Sequence, residues 1–415
     1  MTARRVDVVV LGAGIVGVSA ALHLLRRGRS VALIDRRDPG EETSYGNAGL
    51  VERSGFVPIS FPSSLRDLWG YAANRGIEPR YDPKFLIRVL PWLWRLKRTS
   101  SPAAVEATAR LLEPLLNRAV AEHDVLARAA GAEGFFRDTG WLKLYRTARG
   151  FAAEGPEFRL AREFGARFEI LDAEAVRDIE PSLAPVFAKA VFWPESRSVS
   201  SPGRVTAGYA ARFAAEGGNL YKGDARSLAP GTRGWRVDSE SGPVQAADVV
   251  VALGPWAPDV LEPLGLRAPL AVKRGYHRHF APLGNAALAR PVLDAENGYV
   301  VTPMERGIRL TTGIEFAARD AAPTPVQLGR ALAKARELFP LGEPCDEPWL
   351  GRRPCFPDSL PVIGPAPGRP GLWLDFGHGH LGFTLGPVTG RLLAEMMTGA
   401  APFTDPAPYR FDRFA

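Results

Sequence analysis

VDVVVLGAGIVGVSAALHLLRRGRSVALID, residues 6–35, opens on a β-branched apolar run, turns at three glycines, continues in a helical pattern and ends in a second apolar run closed by Asp35. Apolar runs without alternation suit strands covered on both faces, so the stretch predicts a parallel strand, helix, strand unit. Gly12 permits the tight turn, Gly14 lets a pyrophosphate approach the backbone, and Gly17 lets helix and strand pack closely. The helix start, with Ile15 and Val16, offers N–H groups and the positive end of the macrodipole to phosphates. Asp35 can accept hydrogen bonds from ribose hydroxyls and argues against a 2′-phosphate, although Arg36 and Arg37 follow it. Gly28 suits the left-handed position just past the helix. Together these residues predict a bound dinucleotide.

The chain has 415 residues, 46% hydrophobic and 23% charged, the composition of a globular protein with room for a second domain. Its net charge of +7 is spread along the whole length without a basic block. That pattern predicts no nucleic-acid partner. Cys345 and Cys355 are the only cysteines, with neither a zinc spacing nor a disulfide framework. Two free thiols and a start that runs straight into a strand pattern predict a cytoplasmic protein. No continuous apolar run is long enough to span a bilayer. KFLIRVLPWLWRLKR, residues 84–98, is amphipathic and flanked by bases, so it is a candidate for peripheral contact with the inner face of a membrane as well as for a core-packing helix.

Further along, the pattern is helical over residues 65–74, 83–97 and 102–130, and two short strands follow near 135–138 and 141–146. Ser201 before Pro202 predicts a capped helix start, and strands are expected near 219–228 and 248–253. KRGYHRHF, GYVVTP and GIRLTTGIEF alternate as strands before a helix from 325 to 338. The fold class expected is α/β: a Rossmann-type nucleotide domain with an interleaved α+β substrate domain on a mixed sheet. Residues 1–62, 150–260 and 345–415 are assigned to the first domain, and 63–149 and 261–344 to the second.

Four separated stretches resemble the D-amino-acid dehydrogenase branch of the FAD-dependent D-amino-acid and amine oxidase superfamily, which includes the glycine and sarcosine oxidases. ETSYGNAG (42–49) is similar to the segment after the second strand, which in that superfamily faces the isoalloxazine. VVVALGPWAP (249–258) is similar to its third sheet contact with FAD. GRRPCFPDSLPVIGP (351–365) and GHGHLGFTLGPVTGRLLAEMMTG (377–399) match its C-terminal signature in order and spacing. The resemblance implies FAD held by Gly12, Gly14, Ile15, Val16, Gly17, Asp35, Arg36, Ser44, Asn47, Ala48, Gly49, Gly254, Gly379, Leu381, Gly382 and Thr384. Cys355 is out of register with the cysteine that attaches flavin in some sarcosine-oxidising relatives, so it is read as a buried small residue and the FAD as noncovalent. Glycines in the last stretch would let backbone approach a flat ring, and the helix expected from about Thr384 would direct its positive end at the charge of reduced flavin.

The same resemblance implies a small amino-acid substrate, with Arg353 clamping its carboxylate and Tyr299 as a second donor. Guanidinium offers a fork that matches a carboxylate bidentately, which lysine cannot. Arg352 is read as the surface neighbour. A quinone or another carrier would take the electrons, and the products would be a 2-oxo acid and ammonia. Alternatives are a sarcosine, glycine or hydroxyproline oxidase or dehydrogenase, and an FAD-bearing subunit of a heteromeric complex. His277 with His279, and His378 with His380, are close pairs, but no third ligand accompanies either, so no metal site is expected. His380, Phe383 and Arg274 depart from the branch's usual threonine, tryptophan and lysine, which leaves the identity of the amino acid open. Oligomeric state is not legible.

Overall fold

The computed structural model describes residues 4–62, 74, 76, 77, 79–232 and 234–414. The expected helix over 65–74 falls almost wholly outside them. β1 (Arg4–Leu11), α1 (Ile15–Arg26) and β2 (Val31–Asp35) form the predicted unit, with β1 and β2 parallel and Leu11 opposite Ile34. Parallel neighbours extend this sheet on both sides, Asn219–Lys222 beside β2 and Gly242–Val251 beside β1, and Leu372–Phe376 joins beyond the latter. Eight strands belong to it among the described residues. Val8, Val9, Val10 and Leu11 are fully buried, which is why the run shows no alternation. The strand expected over 219–228 stops at Lys222 and a 3-10 turn follows, whereas the one expected over 248–253 begins earlier, at Gly242.

Packing on α1 fixes where the last helix begins. Helix Gly382–Thr398 lies against α1 through two glycines one turn apart. A Cβ at Gly390 would stand 2.7 Å from the backbone nitrogen of Ala20, and one at Gly386 would stand 3.2 Å from Ile15. The two helices therefore approach with backbone nearly in contact, and their N-termini reach the same crevice at the carboxyl ends of the parallel strands. Ligands of open α/β sheets bind along this edge. Helix Pro102–Ala130, capped by Ser101 and ended by Gly131 at φ +62°, supports the arrangement from behind. Its His123 bridges the Phe383 carbonyl at 2.8 Å and the Tyr209 hydroxyl at 3.1 Å. Helix Pro202–Ala215 starts where expected, but the Ser201 side chain makes no capping bond.

The second sheet has eleven strands among the described residues and is mixed. Its spine is Ala271–Pro282, which pairs along one edge with Gly307–Thr312 and along the other with Trp349–Cys355. Helix Val326–Leu338 packs Leu328, Ala331, Ala335 and Leu338 onto the face that carries Tyr276, Tyr299 and Leu310. The opposite face looks toward the crevice. Sheet membership departs from the expected segment boundaries. Glu169–Leu171 and Lys189–Trp193, from the stretch assigned to the nucleotide domain, extend this second sheet beside Trp141–Tyr145, and Trp349–Cys355 also belongs to it. Lys189–Trp193 thus buries Ala190, Val191 and Trp193 in the substrate-side sheet, while Ile170 of Glu169–Leu171 stays exposed at its edge.

Candidate active site

One cavity of about 960 Å³ runs from the end of β2 to the loop before the last helix, and residues of both sheets line it. At one end stands the glycine turn. Gly12 has φ +107° and a Cβ there would lie 2.5 Å from the Ala252 carbonyl oxygen. At Gly17 a Cβ would fall 1.9 Å from the Gly12 carbonyl oxygen, so this glycine shapes the turn from behind and does not line the cavity. Gly14, Ile15 and Val16 do line it, and Gly14 provides no side-chain cap, which leaves the start of α1 open to an anion. Ile15 N–H donates to the Ser44 hydroxyl at 2.9 Å, tying the helix start to the loop that follows β2.

Asp35 has a task the sequence did not announce. Its carboxylate accepts from Ala13 N–H at 2.6 Å and from Arg37 N–H at 2.9 Å, so it braces the glycine turn while facing the cavity. A carboxylate has about four acceptor sites, which leaves capacity for ribose hydroxyls. Arg36 lies over the Trp256 ring, 4.7 Å from its centre, at the cavity mouth. Midway, Asn47 folds its loop by accepting from the backbones of Gly49 and Leu50 at 2.8 and 3.1 Å. Ser44, Asn47, Ala48 and Gly254 reach the cavity wall. Gly49 does not, because its left-handed backbone, φ +77°, turns under Val199.

At the far end Leu372–Phe376 passes through Gly377, where a Cβ would strike the Phe356 ring at 2.0 Å, into the turn Gly379–Leu381. The last helix begins at Gly382, two residues earlier than expected, and both Gly379 and Gly382 line the cavity. Leu381 and Thr384 lie behind this wall. Thr384 accepts from Glu52 N–H at 3.1 Å and donates to the Leu50 carbonyl at 3.4 Å, which joins the two loops. His378 is buried against Thr389 at 3.0 Å and Asp375 at 3.3 Å.

Arg353 reaches the cavity and is held there by the carbonyls of Thr312 and Gly313, each at 3.0 Å. Two of its five N–H donors are thus spoken for by those bonds, and the fork is fixed in direction. Register places Lys273 opposite Arg353 on the neighbouring strand. His380 lines the same space; it is exposed, and desolvation by the cavity walls, then Lys273 and Arg353, act to lower its pKa. Cys355 is buried and its thiol is pushed up by desolvation, so it rests as a thiol. Arg352, expected at the surface, is half-buried and lines the cavity mouth near Trp256.

Tyr299 requires a correction. Its ring is fully buried on the helix-facing side of the sheet, where the hydroxyl donates to the Lys334 carbonyl at 3.2 Å and accepts from Arg146 at 3.3 Å. Side chains alternate along a strand, so the next residue, Val300, is the one that faces the cavity. Of the histidine pairs, His277 stacks on Trp349 at 4.9 Å, and His279 pairs with Asp346 at 2.6 Å. Among the described residues no group of His, Cys, Asp and Glu is arranged to hold a metal ion.

The cavity is long enough to touch both glycine clusters, and its wall excludes side chains where a phosphate and a ring would need backbone contact. Such a cradle fits an extended dinucleotide bearing a second ring system. The sequence matches the family described as FAD dependent oxidoreductase over residues 7–396. The chain belongs to this family. Among curated relatives, a D-amino-acid oxidase of Bradyrhizobium diazoefficiens is 31% identical, covering 98% of each chain. A D-amino acid dehydrogenase of Paramagnetospirillum magneticum is 32% identical, again over 98% of both. Glycine oxidase from Geobacillus kaustophilus, 23% identical, superposes with a TM-score of 0.77 over 99% of this chain and 100% of that one, which establishes the shared fold.

As an FAD-dependent oxidoreductase the chain also has cavity residues that no motif flagged. Trp141 and Lys143 project into the cavity from one strand, Glu157 from a neighbouring helix, and Glu52 from the segment after the Asn47 loop. Alternation along Trp141–Tyr145 would have put Trp141 and Lys143 on one face, but which face looks inward depends on the sheet's partners.

Proposed function

We propose that the chain oxidises a D-amino acid at its Cα–N bond, giving a 2-oxo acid and ammonia once water hydrolyses the imine. The observation that carries this reading is Arg353, its guanidinium fixed by two carbonyls at the cavity wall beside Lys273 and the Gly379–Gly382 loop. That pair of cations suits a substrate carboxylate. In this reading Gly12, Gly14, Ile15 and Val16 receive the pyrophosphate, and Asp35 and Arg36 flank the ribose end. Ser44, Asn47, Ala48 and Gly254 line the middle, while Gly379 and Gly382 lie against the ring. Gly17, Gly49, Leu381 and Thr384 shape these walls from behind. Bound FAD supplies the acceptor for a hydride from the substrate's Cα. The protein's own contribution is placement: Arg353 fixes the carboxylate and the Gly382 helix end offers its dipole where negative charge builds. The names of the two curated relatives support the D-configuration.

An electron carrier at a membrane fits the surface. No helix among the described residues is long and apolar enough to cross a bilayer. Helix Pro83–Arg98, however, exposes Ile87, Leu90 and Trp94 among Lys84, Arg88, Arg95, Lys97 and Arg98. Such a face suits peripheral contact with anionic lipid, where a quinone would be at hand. The holoenzyme should sediment with phosphatidylglycerol vesicles at low salt and be released at high salt; failure to sediment removes the membrane from the account.

The central test is anaerobic mixing of the yellow holoenzyme with D- and L-amino acids. Bleaching of flavin absorbance by D-isomers alone is expected. Bleaching by L-isomers alone, or by sarcosine alone, overturns the assignment of substrate.

A further inference from the structure

The cavity wall carries charges of both signs. Arg353 and Lys273 are cationic, and their field is felt at His380. Glu52, which also lines the cavity, has Lys143 and Glu157 as charged neighbours. Lys143 is already matched, its ammonium 2.9 Å from Glu157 and 3.3 Å from Glu154. Glu52 is not: among the described residues its carboxylate makes no hydrogen bond or ion pair, although it lines the cavity. Arg53, next in the chain, turns away to Glu113 at 3.2 Å. Burial pushes the Glu52 carboxyl up to about 7, with Lys143 opposing and Glu157 adding to the rise. Glu52 is half-buried at the cavity wall, where a cationic counterpart would be favoured over a neutral one.

We infer that Glu52 is the specificity-determining residue for the substrate side chain, and that it selects amino acids whose side chain ends in a cation, a guanidinium or an ammonium. The inference rests on the proposed clamp at Arg353. With the α-carboxylate on Arg353, a long side chain that reaches Glu52 meets two acidic groups of the cavity wall, Glu52 and Glu157, beside a single lysine, Lys143. A basic side chain there supplies the missing partner, while a neutral one leaves Glu52 unpaired. Trp141, also in this part of the wall, gives the aliphatic stem an apolar surface.

Matched pairs of substrates separate charge from size: D-lysine against D-norleucine, and D-arginine against D-citrulline. In the wild-type holoenzyme kcat/KM should be at least tenfold higher for the charged member of each pair. Glu52→Gln should erase most of that ratio, chiefly by lowering kcat/KM for the charged member, while D-norleucine and the flavin content stay within twofold of wild type. Equal kcat/KM within each pair in the wild type overturns the inference. So does a Glu52→Gln variant that slows charged and neutral substrates alike, which is the mark of a merely structural role. If the flavin is bleached by no amino acid at all, it is the oxidase reading that fails; bleaching by neutral D-amino acids without preference for charge leaves that reading standing and sinks this one.

Discussion

Arg353→Leu should raise KM on the order of 100-fold while flavin remains bound at the wild-type ratio. The carboxylate of an amino acid would lose two charge-assisted hydrogen bonds, together about 3 kcal/mol, and each 1.4 kcal/mol is about tenfold in affinity. Leucine keeps the apolar stem and removes only the fork. The Thr312 and Gly313 carbonyls that hold the guanidinium would turn to water in the cavity. Steady-state kinetics with a D-amino acid, together with the ratio of flavin to protein absorbance, checks both halves of the expectation. Unchanged KM would remove Arg353 from the substrate site; loss of flavin would show that it serves the fold.

Gly17→Val should yield a colourless protein with a lowered unfolding midpoint. The added Cβ would stand 1.9 Å from the Gly12 carbonyl oxygen, a backbone atom that cannot swing aside as a side chain can. Relief requires the turn and α1 to separate, at a cost of about 3 kcal/mol for an overpacked contact. Separation also moves the Ala13 amide from the Asp35 carboxylate, which now accepts it at 2.6 Å, so the pyrophosphate cradle and the ribose anchor shift together. Flavin content and thermal unfolding of the purified variant report the outcome. A yellow protein with the wild-type midpoint would mean that the turn tolerates the side chain and that the glycine is not needed there.

The nucleotide half of the fold was legible because its determinants are local. The glycine turn, the apolar runs of β1 and β2, and Asp35 all lie within thirty residues, and their meaning depends on backbone sterics more than on distant partners. Arg353 and the Gly379 loop were legible through resemblance and fall on the same cavity as the glycine turn. Tyr299 was misplaced by one residue of strand register. A single step along a strand exchanges the helix side for the cavity side, and the motif alone does not say which face is covered. Glu52, Lys143 and Glu157 carried no signature because their significance comes from three segments meeting, not from spacing within one. The strands Glu169–Leu171 and Lys189–Trp193 went to the second sheet for a similar reason: short apolar segments take whichever sheet edge the rest of the chain leaves open.

The most direct measurement is the anaerobic rate of flavin bleaching by the best D-amino acid, compared with the same compound carrying deuterium at Cα. If Arg353 holds the substrate so that its Cα hydrogen leaves as hydride, the deuterated compound should bleach severalfold more slowly and yield one 2-oxo acid per flavin reduced. Identical rates with deuterium still on the product, or no bleaching by either compound, would contradict amino-acid oxidation in this cavity.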